Sequence, residues 1–435
     1  MKSTLNKKNK TVYLPLASEL IHSGHINLIN IGAKFGKVIV GLLTDEAISK
    51  YKNIPILDLD ERKRIVSNIK NVDQVVVQDK YDYTEILNKI KPDYFIHGDD
   101  WKKSDLKKTR DLVLKILKKI NCKLIEPKYT KNISNNEIKK RIKQQFTALS
   151  RVSYLKRLIS TKKKIKLMEA HSPLSGLMIE NFELKKNKKI NKFDGLWSSS
   201  LTDSTLKGKP DNQSVDYSSR IDSLIAILDV TTKPVLFDAD NGGEIHHLHF
   251  LVQKLEREGV SGICIEDKIG LKQNSLFEDQ TNSKQDSIKN FCKKLKLAKN
   301  SKVSEDFMIV ARIESLILGK SINDALKRAK EYLKSGADSI LIHSKMKTPD
   351  EIIKFLNNFR KVYQETPVIV VPSTYSKTYE KKLFDNGANV IIYANQLLRA
   401  SHKAMADTIL SILSNERAYE SEKKISKIKE ILKLF

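Results

Sequence analysis

The stretch from residue 234 to residue 275 constrains the fold most strongly, because it holds two short apolar segments that each end in acidic residues. The segment PVLFDAD ends at Asp238 and Asp240, and GICIED ends at Glu266 and Asp267, with a helix-length segment between them. An apolar strand, an amphipathic helix and a second strand are typical of a βαβ unit. In a closed parallel barrel the carboxyl ends of the strands converge on one face, where catalytic groups lie.

Three or four carboxylates on that face would repel one another unless a cation joined them. Hard oxygen ligands with room for water favour Mg²⁺. The pattern therefore predicts a magnesium site among Asp238, Asp240, Glu266 and Asp267. The alternative is that these acids only cap the helices that follow them.

The whole region 165–435 continues the same pattern. Eight apolar segments, each followed by a helix-like segment, are typical of a (β/α)₈ barrel, and a regular spacing favours the barrel over an open sheet. Polar residues follow the strand interiors in succession, namely Ser199, Asp238, Asp240, Glu266, Arg312, Glu314, His343 and Ser344. Arg312 can bind a phosphoryl or carboxylate group through two parallel hydrogen bonds, and His343 can donate to the same oxygens.

Two loops of this region have the composition of functional loops. SLTDSTLKGKPD, after the second strand, carries Asp211, and KIGLKQNSLFEDQTNS, after the fourth, carries Lys272, Asn274 and Ser275. The second loop is long and polar, as expected of a lid that excludes water from a reactive phosphoryl group.

Residues 1–145 predict a separate domain. Five short apolar strands alternate with helical segments, which indicates a doubly wound, Rossmann-like parallel sheet. The turn His22-Ser23-Gly24-His25 follows the first strand and opens the first helix. A helix amino terminus favours phosphate, and two imidazoles beside a glycine can donate hydrogen bonds to a triphosphate. Residues 146–164 have weak helical periodicity and end in lysines, so we interpret them as a linker.

The composition argues against several classes of protein. The 435 residues carry a formal charge of +27, but the lysines are spread along nearly every helix, which favours solvated helix faces over a nucleic-acid site. No apolar run reaches the length of a membrane span, and no signal peptide is evident. The three cysteines have no metal or redox spacing, which fits a reducing cytoplasm. The positive charge could attract anionic substrates.

The carboxy-terminal region resembles the phosphoenolpyruvate mutase family of the isocitrate lyase/PEP mutase superfamily. The matching stretches are Glu169-Ala170-His171, Gly195-Leu196-Trp197-Ser198-Ser199-Ser200, Gly208-Lys209-Pro210-Asp211, Asp238-Ala239-Asp240, Glu266-Asp267-Lys268, Lys272-Gln273-Asn274-Ser275, Ala311-Arg312-Ile313-Glu314 and His343-Ser344-Lys345. Carbon–carbon lyases of the superfamily carry a catalytic cysteine in the lid. This chain has Asn274 there, which argues against a lyase.

The resemblance implies the interconversion of phosphoenolpyruvate (PEP) and 3-phosphonopyruvate with Mg²⁺. It implies that Asp238 binds the metal, with Asp240 and Glu266 supporting it directly or through water. The remaining implied site residues are Asp211, Lys272, Asn274, Arg312 and His343 for catalysis and Ser199, Ser200, Leu201 and Ser275 for substrate binding. Members of the family are usually oligomers, so a homotetramer or homodimer is expected.

The amino-terminal region resembles the cytidylyltransferase-like nucleotidyltransferase family. The residues that carry the resemblance are His22-Ser23-Gly24-His25, Asp60-Glu61-Arg62, His97-Gly98-Asp99-Asp100-Trp101 and Tyr129-Thr130-Lys131-Asn132-Ile133-Ser134. The resemblance implies transfer of CMP from CTP to a phosphonate, with His22, His25, Arg62, Asp99, Lys131 and Ser134 at the nucleotide. Lys131 replaces the usual arginine, Asn132 the usual glycine, and Asn135-Asn136 the usual threonines.

Together these features predict a cytoplasmic, bifunctional enzyme of phosphonate biosynthesis that acts on small molecules and not on nucleic acid or membranes. Phosphonopyruvate is less stable than PEP, so a phosphonopyruvate decarboxylase is expected to draw the product onward. Two alternatives stay open. The barrel could be a phosphonopyruvate hydrolase, and the amino-terminal domain could bind nucleotide without catalysis.

Overall fold

The computed structural model describes residues 10–17, 21–50, 55, 57–80, 82–102, 107–128, 148–186, 189–270, 272–275 and 284–434. Its contacts divide the chain into two compact units. One comprises residues 1–145 with 184–191, and the other comprises 146–183 with 192–435. The predicted partition into 1–145, 146–164 and 165–435 stays a proposal.

The amino-terminal unit is built on a five-stranded parallel sheet, as predicted. In chain order the strands are β1 (Thr11–Leu16), β2 (Lys37–Leu43), β3 (Gln74–Gln78), β4 (Tyr94–Ile96) and β5 (Lys123–Ile125), and they lie side by side in the order β3-β2-β1-β4-β5. The helices are Ser23–Gly32, Asp45–Ser49, Leu59–Ser67, Thr84–Ile90 and Lys107–Lys119, with a 3₁₀ turn at Asp99–Lys102.

The strand order places a topological switch between β1 and β4. The chain leaves β1 toward β2 on one side and leaves β4 toward β5 on the other. Separate apolar clusters pack against the sheet, one around Val12, Leu14 and Val40 and one around Tyr13 and Phe95. In such a sheet a ligand binds beyond the carboxyl ends of the strands at the switch point.

The second unit is a closed barrel of eight parallel strands, which confirms the predicted fold. The strands are Ile165–Glu169, Gly195–Ser198, Val235–Asp238, Gly262–Glu266, Met308–Ile313, Ser339–Ile342, Val368–Val370 and Val390–Tyr393. Each pairs with the next in the chain, and the eighth closes on the first through Val390↔Ile165. All eight predicted apolar segments form these strands because their side chains are buried on both faces of the sheet.

Helices surround the barrel and extend beyond it. They are Ala148–Lys162, Pro173–Asn181, Ser200–Leu206, Tyr217–Asp229, Ile245–Arg257, Ile288–Ser301, Ile322–Lys334, Asp350–Arg360, Glu380–Asp385, Gln396–Asn415, Tyr419–Glu422 and Ile428–Leu432. Two short antiparallel ladders join Leu184–Lys186 to Lys189–Asn191 and Lys268–Ile269 to Lys284–Gln285. Among the described residues, no helix combines the length and the hydropathy that crossing a bilayer requires.

The segment interpreted as a linker contains the helix Ala148–Lys162, and this helix belongs to the barrel unit. Val152 and Leu155 are buried, and Arg151 donates to the carbonyl oxygens of Leu228 (3.0 Å) and Thr231 (2.8 Å). Apolar residues at helical spacing and a buried arginine explain why this segment packs on the barrel.

Candidate functional site

A pocket opens at the carboxyl ends of the barrel strands. It is lined by every predicted barrel site residue except Asp240, that is by Ser199, Ser200, Leu201, Asp211, Asp238, Glu266, Lys272, Asn274, Ser275, Arg312 and His343. It is also lined by residues that the sequence analysis did not assign, among them Trp197, Ser373, Thr374 and Asn395. The strand ends therefore bring the predicted residues together, as the barrel topology requires.

The three predicted metal ligands lie on adjacent strand ends. Asp238 ends its strand and accepts a hydrogen bond from the hydroxyl of Ser200 at 3.2 Å. Glu266 ends the next strand, and its Oε2 lies 3.3 Å from Nη2 of Arg312. Asp240 has a φ of 50°, in the left-handed region, so its side chain departs from the strand direction. It lies outside the main pocket and lines a neighbouring one.

Lys272 connects the lid to both sides of the site. Its Nζ lies 2.5 Å from Oδ1 of Asp211, 2.5 Å from Oδ1 of Asp240 and 2.5 Å from Oγ of Ser200. Asn274 donates from Nδ2 to the other oxygen of Asp211 at 2.6 Å. Asp211 is therefore held by two lid residues at once.

A second cluster surrounds Glu314 and adjoins Glu266 through Arg312. Arg312 donates from Nε to Glu314 Oε1 (2.6 Å) and from Nη2 to the hydroxyl of Ser275 (3.0 Å). Nε2 of His343 lies 2.5 Å from the same Oε1, and the Ser275 hydroxyl donates to Oε2 at 2.7 Å. Arg312, His343 and Ser275 thus share one buried carboxylate.

The charges of the site shift its pKa values. Burial raises the pKa of Glu266 to about 7, although Arg312 opposes this shift. Burial alone would also raise the pKa of Asp240, but Lys272 and Arg220 beside it lower that pKa below its ordinary value. Burial lowers the pKa of His343, although Glu314 favours the charged ring. A buried carboxylate with a pKa near neutrality fits a functional site.

Sequence reasoning missed Arg220 and Asp203. Arg220 lies on the helix Tyr217–Asp229, is 1% exposed, and donates to Asp203 at 2.9 Å and to Asp240 at 3.5 Å. A single arginine among the polar residues of an amphipathic helix gives no signal of this role. Asp203 belongs to the SLTDST segment, but nothing in the sequence spacing indicated that it pairs with Arg220.

The donor set fits Mg²⁺. Among the described residues, no three acidic, histidine or cysteine side chains already converge as metal ligands. Mg²⁺ usually keeps several waters and uses one or two carboxylates, which suits Asp238 with Glu266 and Asp240 behind it.

In the amino-terminal unit the two predicted histidines cap the first helix. His22 accepts from the backbone N–H of Gly24 (3.2 Å), and His25 accepts from the backbone N–H of His22 (3.3 Å), each through Nδ1. Their rings stack with centroids 3.9 Å apart. Because both Nδ1 atoms accept, each neutral ring carries its proton on Nε2. Burial lowers the pKa of His22.

The other predicted nucleotide residues differ in setting. Asp99 begins the 3₁₀ turn after β4, at the same edge of the sheet as the histidines after β1. Arg62 is fully buried and donates to Asp45 (2.5 Å) and to the carbonyl of Ala17 (2.9 Å), a structural pairing. Lys131 and Ser134 lie outside the described residues.

Comparison with known proteins agrees with both resemblances. A family model described as phosphoenolpyruvate phosphomutase matches residues 155–413, and one described as cytidylyltransferase-like matches residues 19–141. Phosphoenolpyruvate phosphomutase of Tetrahymena pyriformis is 35% identical over 294 residues, which cover 67% of this chain and 94% of that protein. Ethanolamine-phosphate cytidylyltransferase of Dictyostelium discoideum is 35% identical over 102 residues, 23% of this chain and 28% of that protein.

Solved structures match the barrel region. Phosphoenolpyruvate phosphomutase from Streptomyces platensis subsp. rosaceus superposes with a TM-score of 0.60 at 31% identity, covering 65% of this chain and 94% of that chain. A phosphonopyruvate hydrolase in complex with oxalate and Mg²⁺ superposes with a TM-score of 0.57 at 28% identity, covering 66% and 95%. Both a mutase and a hydrolase are therefore relatives.

Proposed function

Since the chain belongs to the phosphoenolpyruvate phosphomutase family, we propose that its barrel interconverts PEP and 3-phosphonopyruvate. The observation that carries the proposal is the mixed lining of one pocket. Asp238, Glu266 and Asp211 line it together with Arg312, Ser199 and Ser200. A substrate with an anionic phosphoryl end and a metal-seeking pyruvyl end needs acidic, basic and hydroxyl groups in one place.

The phosphoryl end is assigned to the cluster of Arg312, His343, Ser275 and Asn274. Arg312 lines the pocket with its guanidinium held at Nε by Glu314, while Nη2 donates to Ser275 and lies 3.3 Å from Oε2 of Glu266. Phosphoryl transfer through a loose transition state needs fixed charge more than covalent help. These residues hold the phosphoryl group still while the enolate turns to present carbon in place of oxygen.

The pyruvyl end is assigned to Ser199, Ser200 and Leu201, which line the pocket beside Asp238. Mg²⁺ bound at Asp238, with Glu266 and Asp240 in support, would supply positive charge to the enolate oxygen. The proposal gains support from the related hydrolase that was crystallised with oxalate and Mg²⁺.

A hydrolase remains the second candidate for the barrel, because a phosphonopyruvate hydrolase is among the relatives. The lid favours the mutase. Lys272 and Asn274 both contact Asp211, so each oxygen of this carboxylate already accepts a hydrogen bond from a described lid residue. A mutase needs water excluded from the phosphoryl group.

For the amino-terminal domain we propose CMP transfer from CTP to a phosphonate. His22 and His25 carry their protons on Nε2 and lie beside the switch point between β1 and β4. Two N–H donors there would stabilise charge on a leaving pyrophosphate. A domain that only binds nucleotide is the alternative, and CTP binding without turnover would support it.

We place this enzyme in the cytoplasm as a homotetramer or homodimer. A phosphonopyruvate decarboxylase is its expected pathway partner, because the phosphonate product is the less stable isomer.

An Asp211→Ala variant tests the barrel assignment. We expect this variant to form no PEP from 3-phosphonopyruvate, and PEP formation is measured by coupling it to pyruvate kinase and lactate dehydrogenase. Its circular dichroism spectrum should match that of the wild type. Wild-type rates in this variant would overturn the role given to Asp211. The matched control is Asp222→Ala, a helix residue outside the pocket lining.

A further inference from the structure

Glu314 has no assigned role in the site beyond holding Arg312 at Nε. It follows the strand Met308–Ile313 and is fully buried. Its backbone N–H donates to the buried Asp267 at 2.9 Å, which fixes the position of the chain. Its carboxylate contacts Arg312 of the same strand, Ser275 of the lid and His343, which follows the next strand.

Both oxygens of Glu314 are engaged by donors. Oε1 faces Nε of Arg312 at 2.6 Å and Nε2 of His343 at 2.5 Å. Oε2 accepts from Ser275 at 2.7 Å and lies 3.6 Å from Nζ of Lys268. Burial alone would raise the pKa of Glu314, but Arg312 and His343 hold it well below its ordinary value. The group is therefore an ionised carboxylate, which only accepts hydrogen bonds.

This geometry fixes the tautomer of His343. Because Glu314 can only accept, Nε2 of His343 must carry a proton, and a neutral ring then has a lone pair on Nδ1. Nδ1 is the ring nitrogen left to meet a ligand. A neutral His343 would present a lone pair to an anionic phosphoryl group, and two acceptors repel each other.

We propose that Glu314 is the positioning residue of the phosphoryl subsite: it holds His343 through Nε2, and His343 takes up one proton from solvent on Nδ1 when the substrate binds. The proton stays on the ring as a hydrogen-bond donor to a phosphoryl oxygen, and no bond breaks in this step. The inference rests on the proposed function, because it takes the phosphoryl group of that substrate as the ligand.

The charges around His343 support the uptake of a proton. The groups that face it are Glu314, Arg312 and Lys268. Burial, Arg312 and Lys268 keep the ring neutral in the free protein, and Glu314 opposes them. A bound phosphoryl dianion adds negative charge beside Nδ1 and shifts the balance toward imidazolium. Glu314 also accepts a hydrogen bond from the lid residue Ser275. The same carboxylate therefore contacts both the lid and the imidazole ring of His343.

Histidine NMR tests this directly. Two-bond ¹H–¹⁵N correlation spectra distinguish the two neutral tautomers from imidazolium, and the chain has only nine histidines. A His343→Gln variant identifies the His343 signal by its loss. At pH 8 we expect the neutral Nε2–H tautomer in the free protein, and imidazolium after addition of 3-phosphonopyruvate with Mg²⁺. An Nδ1–H tautomer in the free protein, or a neutral ring in the bound state, would overturn the proposal.

A Glu314→Gln variant tests the same carboxylate by kinetics. It keeps the shape of the side chain but removes its charge, so the imidazolium signal should vanish at pH 8 and kcat/KM should fall by about 10- to 100-fold, as for other residues that orient a ligand-binding histidine. The loss should shrink at lower pH, where solvent protonates His343 without help. A loss that is the same at every pH would show a merely structural role.

Glu180→Gln is the matched control. Glu180 accepts from Thr231 (2.9 Å) and Thr232 (2.8 Å) and is outside the pocket lining, so this variant should retain wild-type kinetics and the His343 signal. If ³¹P spectra of the wild-type sample show no conversion, the proposed function fails. The free-state tautomer then still decides the assignment of Glu314. Should Glu314→Gln fail to fold, the wild-type spectra decide alone.

Discussion

Arg220 gives the sharpest stability prediction. Its guanidinium is 1% exposed, lies 2.9 Å from Asp203 and 3.5 Å from Asp240, and stacks 4.3 Å from the ring centroid of Phe237. Arg220→Met keeps the aliphatic stem and removes the charge. Removing one partner of a buried ion pair typically costs about 3–5 kcal/mol, because the other charge is left uncompensated.

The loss of stability in Arg220→Met can be estimated more closely from the contacts that Asp203 and Asp240 would keep. Asp240 keeps Lys272 at 2.5 Å, whereas Asp203 keeps only the Ser198 hydroxyl at 3.4 Å as a described side-chain partner. The cost should therefore fall mainly on Asp203, and we expect the free energy of unfolding to drop by about 3 kcal/mol, the lower end of the usual range. Adding Asp203→Asn removes the uncompensated charge and should recover at least half of the loss.

Urea denaturation followed by tryptophan fluorescence measures this change. The chain has two tryptophans, and a Trp101→Phe background leaves Trp197 as the reporter of the barrel. A loss below about 1 kcal/mol, the size of an exposed ion pair, would refute the view that Arg220 neutralises buried carboxylates. A double variant less stable than Arg220→Met would refute it as well.

Three further predictions concern acid stability, packing and the metal. Hydrogen bonds from Arg110, then from Trp101, hold the pKa of Glu126 at about 2. The stabilisation is present above the ordinary pKa near 4.5 and is lost as pH falls toward 2. Glu126→Gln should therefore lower Tm at pH 7 and much less at pH 3, and an equal decrease at both pH values would contradict this account. Gly262→Ala should lower the free energy of unfolding in urea by about 1–3 kcal/mol, because the added Cβ would lie 2.6 Å from the Met308 carbonyl oxygen. Unchanged stability would contradict the close approach of these two strands. EDTA should abolish PEP formation and added Mg²⁺ restore it, and full activity in EDTA would exclude the magnesium assignment.

The barrel could be predicted because its strands are short apolar runs and several of them end in polar residues. VLFD and GICIE show this pattern plainly. Burial on both faces makes such runs continuous, and the closed topology then brings their ends to one pocket. Asp238, Glu266, Arg312 and His343 were found in this way.

Other features depend on packing that a linear pattern does not encode. Arg220 approaches Asp240 from a helix, and Asp240 turns toward it through a left-handed backbone. Glu314 belongs to a matched motif that also contains its partner Arg312. Its other partners, His343, Ser275 and Lys268, are far from it in the sequence. The sequence analysis interpreted the segment that contains the helix Ala148–Lys162 as a linker with weak helical periodicity, and its anchoring through the buried Arg151 depends on tertiary packing.

In the amino-terminal unit the histidine motif lies where the sequence analysis placed it, after β1 and at the start of the first helix. His22 and His25 form a reciprocal cap on the first helix, as a turn at a helix amino terminus allows. Arg62 lies in the capping-box helix Leu59–Ser67, where its burial against Asp45 depends on tertiary packing. A motif match alone could not distinguish the histidines at a helix start from an arginine buried in an ion pair.

Phosphorus NMR tests the central claim most directly. The purified protein is incubated with Mg²⁺ and 3-phosphonopyruvate, and ³¹P spectra are recorded over time. The account predicts that the phosphonate resonance declines while a PEP resonance grows, with no inorganic phosphate. Inorganic phosphate together with pyruvate would identify a hydrolase and contradict the mutase assignment.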